Sequence, residues 1–333
     1  MADRLHPPPP ETEKGVALLT ILLLVAVMAV MSAAMLERLT LATRLSANSG
    51  VMDQAHAYAD SASLLVERRL DALLQAQPGK LTAEGGWLGS PHPVAVPGGS
   101  VTVTLHDGGN CFNLNSLVSG DSEEALKQRP LAIAQFAALM EMIGVKPAQA
   151  QMVARAAADW IDSDSVPVQG GAEDESYASG ARPYRTANRM MVDSSELRAV
   201  AGVTPELYAL VRPWVCALPL ADLSALNVNT LQPEQAPLLA MLAPGKLSLA
   251  MARAMIGQRP HAGYDSTVTF WAVPAARGVT PPAEAQEQAQ LTTRWFKAEF
   301  TVEMGGTSMR QWALYDAQSA PVRLVRKIRG DEG

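Results

Sequence analysis

A chain of 333 residues is too long for one ordinary domain and leaves room for two compact units. Its net charge of −6 and pI near 5.5 argue against a nucleic-acid backbone as the main partner, because phosphate binding depends on clustered Lys and Arg. The one basic cluster, Arg323, Arg326, Lys327 and Arg329, reads as a solvated edge strand and frayed end.

In chain order, Met1 to Gly15 is polar and carries Pro7 to Pro10, a run that stays extended in water. Val16 to Leu36 then holds no charge and, as a helix, spans the ~30 Å hydrocarbon core of a bilayer. Three readings of this run compete. A cleavable secretory signal finds a small-residue site at Ser32-Ala33-Ala34, but its apolar core is too long. A plain single-pass anchor fits the length. A prepilin-type signal, cut after Gly15, fits best: the polar leader ends in Lys14-Gly15, the apolar run starts at the next residue, and helical periodicity continues to Gln77. Ser49-Gly50 is the expected weak point, and Pro78-Gly79 ends the helix.

Residues 85–97 read as a loop, and Ser100 to Leu105 as a strand. A helical block follows, with helices predicted at Pro130–Ile143, Pro147–Ile161, Ser194–Val200, Pro205–Trp214, Pro233–Leu242 and Leu247–Ile256. Strand texture returns at Thr267–Ala272, Trp295–Glu303, Ser308–Tyr315 and Val322–Ile328. The economical arrangement is an α+β fold, in which a small antiparallel sheet packs on the amphipathic half of the long helix and an all-α domain is inserted after the first strand. The boundaries are a leader at 1–15, the long helix at 16–77 with 16–36 in the membrane, a sheet region at 78–110 and 262–333, and the insert at 111–261. Within the insert, Asn113-Leu114-Asn115-Ser116 echoes Asn227-Val228-Asn229-Thr230, with Ser116 and Thr230 as expected helix caps. A duplicated helical hairpin would explain the echo.

Cys111 and Cys216 form one disulfide if the anchor delivers the body outside the cytoplasm; two separate buried thiols are the alternative. The densest polar stretch is Asp159 to Tyr177. Asp162 and Asp164 are spaced like the start of an EF-hand, but Val166 and Pro167 break that match. The carboxylates converge on a Ca²⁺ only if the Gly170-Gly171 turn folds Glu173 and Asp174 back, with Asn188 and Asp193 near enough in sequence to add oxygens; spacing alone favours a solvated acidic loop. No catalytic motif is present, and the five histidines are scattered, so no enzyme activity is expected. A second reading treats Leu226 to Phe270 as a helix-hairpin-helix module, which would make a membrane-anchored DNA-binding protein. Its hairpin, Leu242 to Lys246, lacks paired glycines and carries one lysine, so a structural hairpin is preferred.

Together these pieces resemble the K-type minor pseudopilins of the type II secretion system. The matching parts are Lys14-Gly15 with the apolar helix, Phe112 to Asn115, Asp159-Trp160-Ile161-Asp162 with Asp164, Gly171 to Glu175, Tyr184 to Asn188, Ser195 to Arg198 and Asn227 to Thr230. The resemblance implies a pilin-like fold with an inserted α-domain. It also implies cleavage after Gly15 by prepilin peptidase, methylation of the Val16 amine, and a structural Ca²⁺ held by Asp162, Asp164, Glu173 and Asp174. Asn188 and Asp193 are additions made from their place in the sequence. The protein would sit in the inner membrane with its body in the periplasm. It would begin pseudopilus assembly at the tip with the I and J types, then the H type and the major pseudopilin, in support of protein export across the outer membrane. Major pilins carry a Glu at the fifth mature position; here that residue is Thr20, a neutral hydroxyl that needs no partner subunit above it.

Overall fold

A computed structural model describes residues 11–179 and 183–330; the proline run and most of the predicted leader lie outside the described residues. Helix α1 (Glu11–Ala76) runs unbroken for 66 residues, about 100 Å at the standard rise. It begins before Val16 and passes straight through Ser49-Gly50, where the sequence suggested a break. Nothing packs within 4 Å of the place a Gly50 side chain would occupy, and one glycine in a helix interior costs only about 1 kcal/mol. The most apolar window of α1 has mean hydropathy 2.8, and none of it is buried inside the protein. Within it, Thr20 Oγ1 donates to the Ala17 carbonyl at 2.9 Å, so the hydroxyl is satisfied by its own helix.

The C-terminal half of α1 carries the sheet. Five antiparallel strands, β1 (Pro91–Val96), β2 (Gly99–Asp107), β3 (Trp295–Met304), β4 (Thr307–Asp316) and β5 (Arg323–Arg329), lie side by side in that order. Alternate residues of β3 and β4, including Phe296, Ala298, Phe300, Val302, Ala313 and Tyr315, are buried against Ala55, Ala59, Val66 and Leu70 of α1. Polar pins fix the register: Ser63 Oγ lies 2.7 Å from Tyr315 Oη, Lys327 Nζ donates to Asp60 at 2.6 Å, and Val322 N–H donates to Asp71 at 2.8 Å. At the end of the sheet nearer the apolar half of α1 the β3–β4 turn places Gly305, at φ +56°, against Val51, where a side chain would crowd the helix.

Strand β1 corrects the reading of 85–97 as a loop. Its prolines, Pro91 and Pro93, hide the pattern, but β1 is an edge strand that among the described residues pairs with β2 alone, where missing N–H groups are tolerated on the outer side.

Between β2 and its neighbour β3 the chain leaves the sheet for residues 108–294 and builds a separate helical core. Helices α2 (Pro130–Met142) and α3 (Pro147–Ile161) form one hairpin, both starting at a proline that suits a first turn. After α4 (Asp174–Ala178) and α5 (Pro205–Val211), helices α6 (Ala236–Ala240) and α7 (Leu249–Gly257) form a second pair. Thr267–Trp271, predicted as a strand, is helix α8. Ser266 accepts from Thr269 N–H at its start, and Phe270 packs edge-on to Tyr264 with ring centroids 5.3 Å apart, so packing overrides the β-branched composition. Tyr264, Phe270, Ala276, Ala285 and Ala289, from the segment the sequence grouped with the sheet, pack in the helical core, as does α9 (Ala283–Gln288).

Both Asn-x-Asn motifs are buried clamps, and they work alike. The first Asn of each turns the chain: Asn113 Oδ1 accepts from Asn115 N–H at 3.2 Å, and Asn227 Oδ1 from Asn229 N–H at 2.9 Å. The second Asn grips both backbone groups of one distant residue. Asn115 holds the N–H and C=O of Met191 at 2.7 and 2.9 Å, and Asn229 holds those of Tyr264 at 2.7 and 3.0 Å. Capping was expected from Ser116 and Thr230. In the first motif Asn113 caps instead, and Thr230 turns its hydroxyl to Asp107. Asp107 ends β2 and also accepts from Thr293 beside β3, so the second motif joins sheet to insert. Desolvation pushes the Asp107 carboxyl above its ordinary range, against the pull of those hydroxyl donors. Cys111 and Cys216 are disulfide-bonded with Cα atoms 5.8 Å apart, beside the parallel pairing of Phe112–Asn113 with Val215–Cys216.

Candidate metal centre

The acidic stretch begins inside α3. Asp159 and Asp162 are three residues apart, hence on one face, at the end and C-cap of a helix whose other side is core. The chain then loops out and returns through Gly170-Gly171. A Cβ on Gly171 would collide with the Asp159 carboxylate, so glycine lets the backbone close down, and Ala172 N–H donates to Asp159 Oδ2 at 2.7 Å. That turn brings back Glu173. One oxygen each of Asp159, Asp162 and Glu173 lie within 4.8 Å of one another, and all three residues are buried.

Donors do not saturate this cluster. Gln128 Nε2 reaches Asp159 at 2.5 Å and Asp162 at 2.7 Å, and Thr186 Oγ1 reaches Glu173 at 3.2 Å. Asp162 Oδ1, Glu173 Oε1 and Asn188 Oδ1 are buried and accept no hydrogen bond from the described residues. Asn188 belongs to the same loop cluster: its side-chain amide donates to the Asp164 carbonyl at 3.2 Å and its N–H to the Trp160 carbonyl at 3.1 Å. Its backbone sits at φ +45°, a conformation that costs free energy and is concentrated at functional sites.

Electrostatics point the same way. Burial pushes Asp162 up to about 6, with Asp164 and Asp159 adding repulsion. Burial likewise pushes Glu173 up to about 7, and the three neighbouring aspartates add to it. Burial raises Asp159 as well, although Gln128, Val168 and Ala172 donate to it. Three buried carboxylates that resist ionising together, plus unpartnered oxygens, are what a hard divalent cation relieves. The donor set is all oxygen, which suits Ca²⁺ and not a soft metal.

The six residues expected as ligands are placed unequally. Asp162 and Glu173 are in the cluster, with Asn188 beside it. Asp164 is exposed and accepts from Val166 N–H at 2.8 Å, and Asp174 is occupied by Thr186. Asp193 is not in the cluster: it caps the turn Ser194–Ala199 by accepting from Ser195 N–H at 2.9 Å, and Glu196 completes the capping box. Sequence reasoning passed over Asp159 as a ligand, although its helical spacing to Asp162 was the available signal. Gln128 lies in a separate segment and left no local signal.

Comparison with known proteins places the whole arrangement. A family profile described as type II secretion system (T2SS), protein K matches residues 110–220, and a second with the same description matches 226–294. Each match begins within a few residues of an Asn-x-Asn clamp. Type II secretion system protein K of Pectobacterium carotovorum is 33% identical over 322 residues, spanning 96% of this chain and 97% of that protein. The protein of the same name from Klebsiella pneumoniae is 35% identical over 319 residues, again 96% and 97%. Among solved structures, a chain in the GspK-GspI-GspJ complex of enterotoxigenic Escherichia coli is similar at TM-score 0.73 and 28% identity, covering 84% of this chain and 96% of that one.

Proposed function

The chain belongs to the type II secretion system protein K family, the K-type minor pseudopilins, and we propose that it caps and initiates the pseudopilus as the tip subunit. The observation that carries this reading is its likeness to a chain solved in complex with GspI and GspJ. On that reading its partners are the I- and J-type minor pseudopilins, then the H type and the major pseudopilin, and it acts by assembly without catalysis. These relatives are secretion proteins, which leaves the DNA-binding alternative without support. Thr20, with its hydroxyl turned back onto its own helix, has no charge seeking a subunit above.

On the same reading, prepilin peptidase cuts after Gly15 and methylates Val16, and α1 passes once through the inner membrane with the body in the periplasm. A disulfide at Cys111–Cys216 suits that oxidising compartment. Mass spectrometry of the protein from its membrane tests this: a mature chain starting at N-methylated Val16 is expected, and an intact Met1 or a start near Ala34 contradicts it.

The carboxylate cluster is assigned to a structural Ca²⁺, held by Asp159, Asp162 and Glu173 with Asn188 as a neutral oxygen, and with Asp164 and Asp174 adjacent. The ion would supply charge neutralisation that ties the end of α3 to the returning loop. With free calcium about a hundredfold above its Kd, stabilisation is about 2.7 kcal/mol, a rise of roughly 5–10 °C in the melting temperature. Scanning calorimetry of the full chain in detergent, with calcium and with chelator, measures it. Asp162→Asn and Glu173→Gln should abolish the rise, and a rise that survives in both would place the ion elsewhere.

A further inference from the structure

The two long edges of the sheet are built differently. On β1, Pro91 and Pro93 cannot donate outward, so that edge is blunted against further pairing. On the other side, no strand among the described residues pairs with the far edge of β5. Gly330 N–H bonds back to the Arg310 carbonyl, and pairing alternates along an antiparallel ladder, so the backbone groups of Lys327 and Arg329 face away from β4. Leu324 and Val325 are exposed at 39% and 42%. The strand Arg323–Arg329 carries Arg323, Arg326, Lys327 and Arg329 and no acidic residue, in a chain whose net charge is −6; Lys327 is paired with Asp60 and Arg326 donates to the Ala217 carbonyl, which leaves Arg323 and Arg329 as the cations for a partner.

We propose that the open edge of β5 receives an added strand from a partner polypeptide, an extended segment rich in Asp and Glu. Main-chain hydrogen bonds to the outward N–H and C=O groups would supply affinity, and charge would supply selectivity. A second copy of this chain is a poor occupant, because two like-charged strands would repel across the new pairing. Space for alternate side chains exists close by. Arg326 and Ile328, on the face away from α1, line a groove of about 520 Å³ together with Trp312 and Leu314. None of the carboxylate cluster's residues lines this groove.

The test titrates the full chain in detergent with a short fluorescent peptide of alternating Glu and Val, with empty micelles as the blank. Two control peptides replace Glu by Lys, or alternate Val by Pro. The Glu-Val peptide should bind, and neither control should. Arg329→Pro removes one outward N–H while leaving the β4–β5 ladder intact, and should weaken binding about fivefold. The double reversal Arg323→Glu with Arg329→Glu should abolish it, and serves as the deciding variant if Arg329→Pro lowers the melting temperature. Equal binding of the proline-bearing control would mean charge attraction without strand pairing and would overturn the proposal. Undiminished binding in the double reversal, or capture of anionic vesicles with no peptide binding, would also overturn it.

Discussion

Replacing Cys111 and Cys216 by serine is expected to destabilise the protein by about 4–5 kcal/mol, the loop-closure entropy of a ring this long. The bridge spans 105 residues and closes the first helical unit on itself, from the start of the Asn113 clamp to the strand that follows α5. The parallel pairing of Phe112 with Val215 survives in the variant but no longer restrains the unfolded chain. Guanidinium unfolding of the full chain in detergent, oxidised against the double serine variant, measures the difference. A loss below about 1 kcal/mol would show that the unfolded state is already constrained or that the native bond carries offsetting strain.

Asn227→Ala is expected to cost about 3–5 kcal/mol, a large effect for one small polar side chain. Asn227 is 1% exposed, donates through Nδ2 to Leu81 C=O at 3.0 Å and Thr293 Oγ1 at 2.9 Å, and accepts from Asn229 N–H at 2.9 Å. Truncation leaves the Leu81 carbonyl and the Asn229 N–H without these partners inside the protein, and Thr293 is one of the hydroxyls that hold Asp107. Because Leu81 follows α1 and Thr293 precedes β3, the loss falls on the junction between sheet and insert. The same unfolding experiment checks it, with the exposed Gln169→Ala as a control expected within about 0.5 kcal/mol of the parent chain. A cost for Asn227→Ala no larger than the control's would remove the junction role.

What the sequence made legible follows from periodicity. The apolar run from Val16 and the 3.6-residue pattern beyond it announce α1, and the alternation in Trp295–Glu303 and Ser308–Tyr315 announces β3 and β4. Segments that break their own local rule were misread. Pro91 and Pro93 disguise an edge strand, and Thr267 and Val268 disguise a helix whose conformation is set by Ser266 and by Phe270 in the core. At the candidate site, Asp162 and Glu173 were readable as an acidic pair around a Gly-Gly turn. Asp159 was not read as a ligand because it looks like the end of a helix, and Gln128 reaches the site only through the packing of Lys127–Gln128 against Val118–Ser119. The Asn-x-Asn repeats were visible as an echo, but their role was not, because each second Asn grips a residue far along the chain, Met191 or Tyr264.

Assembly of this chain with the I- and J-type minor pseudopilins is directly measurable. The most direct measurement is co-expression of the full chain with those two proteins from the same bacterium, followed by detergent extraction and light scattering on a sizing column. One ternary complex that persists through the column is expected. A chain that elutes alone at its own mass, with the other two proteins folded and present, would contradict it.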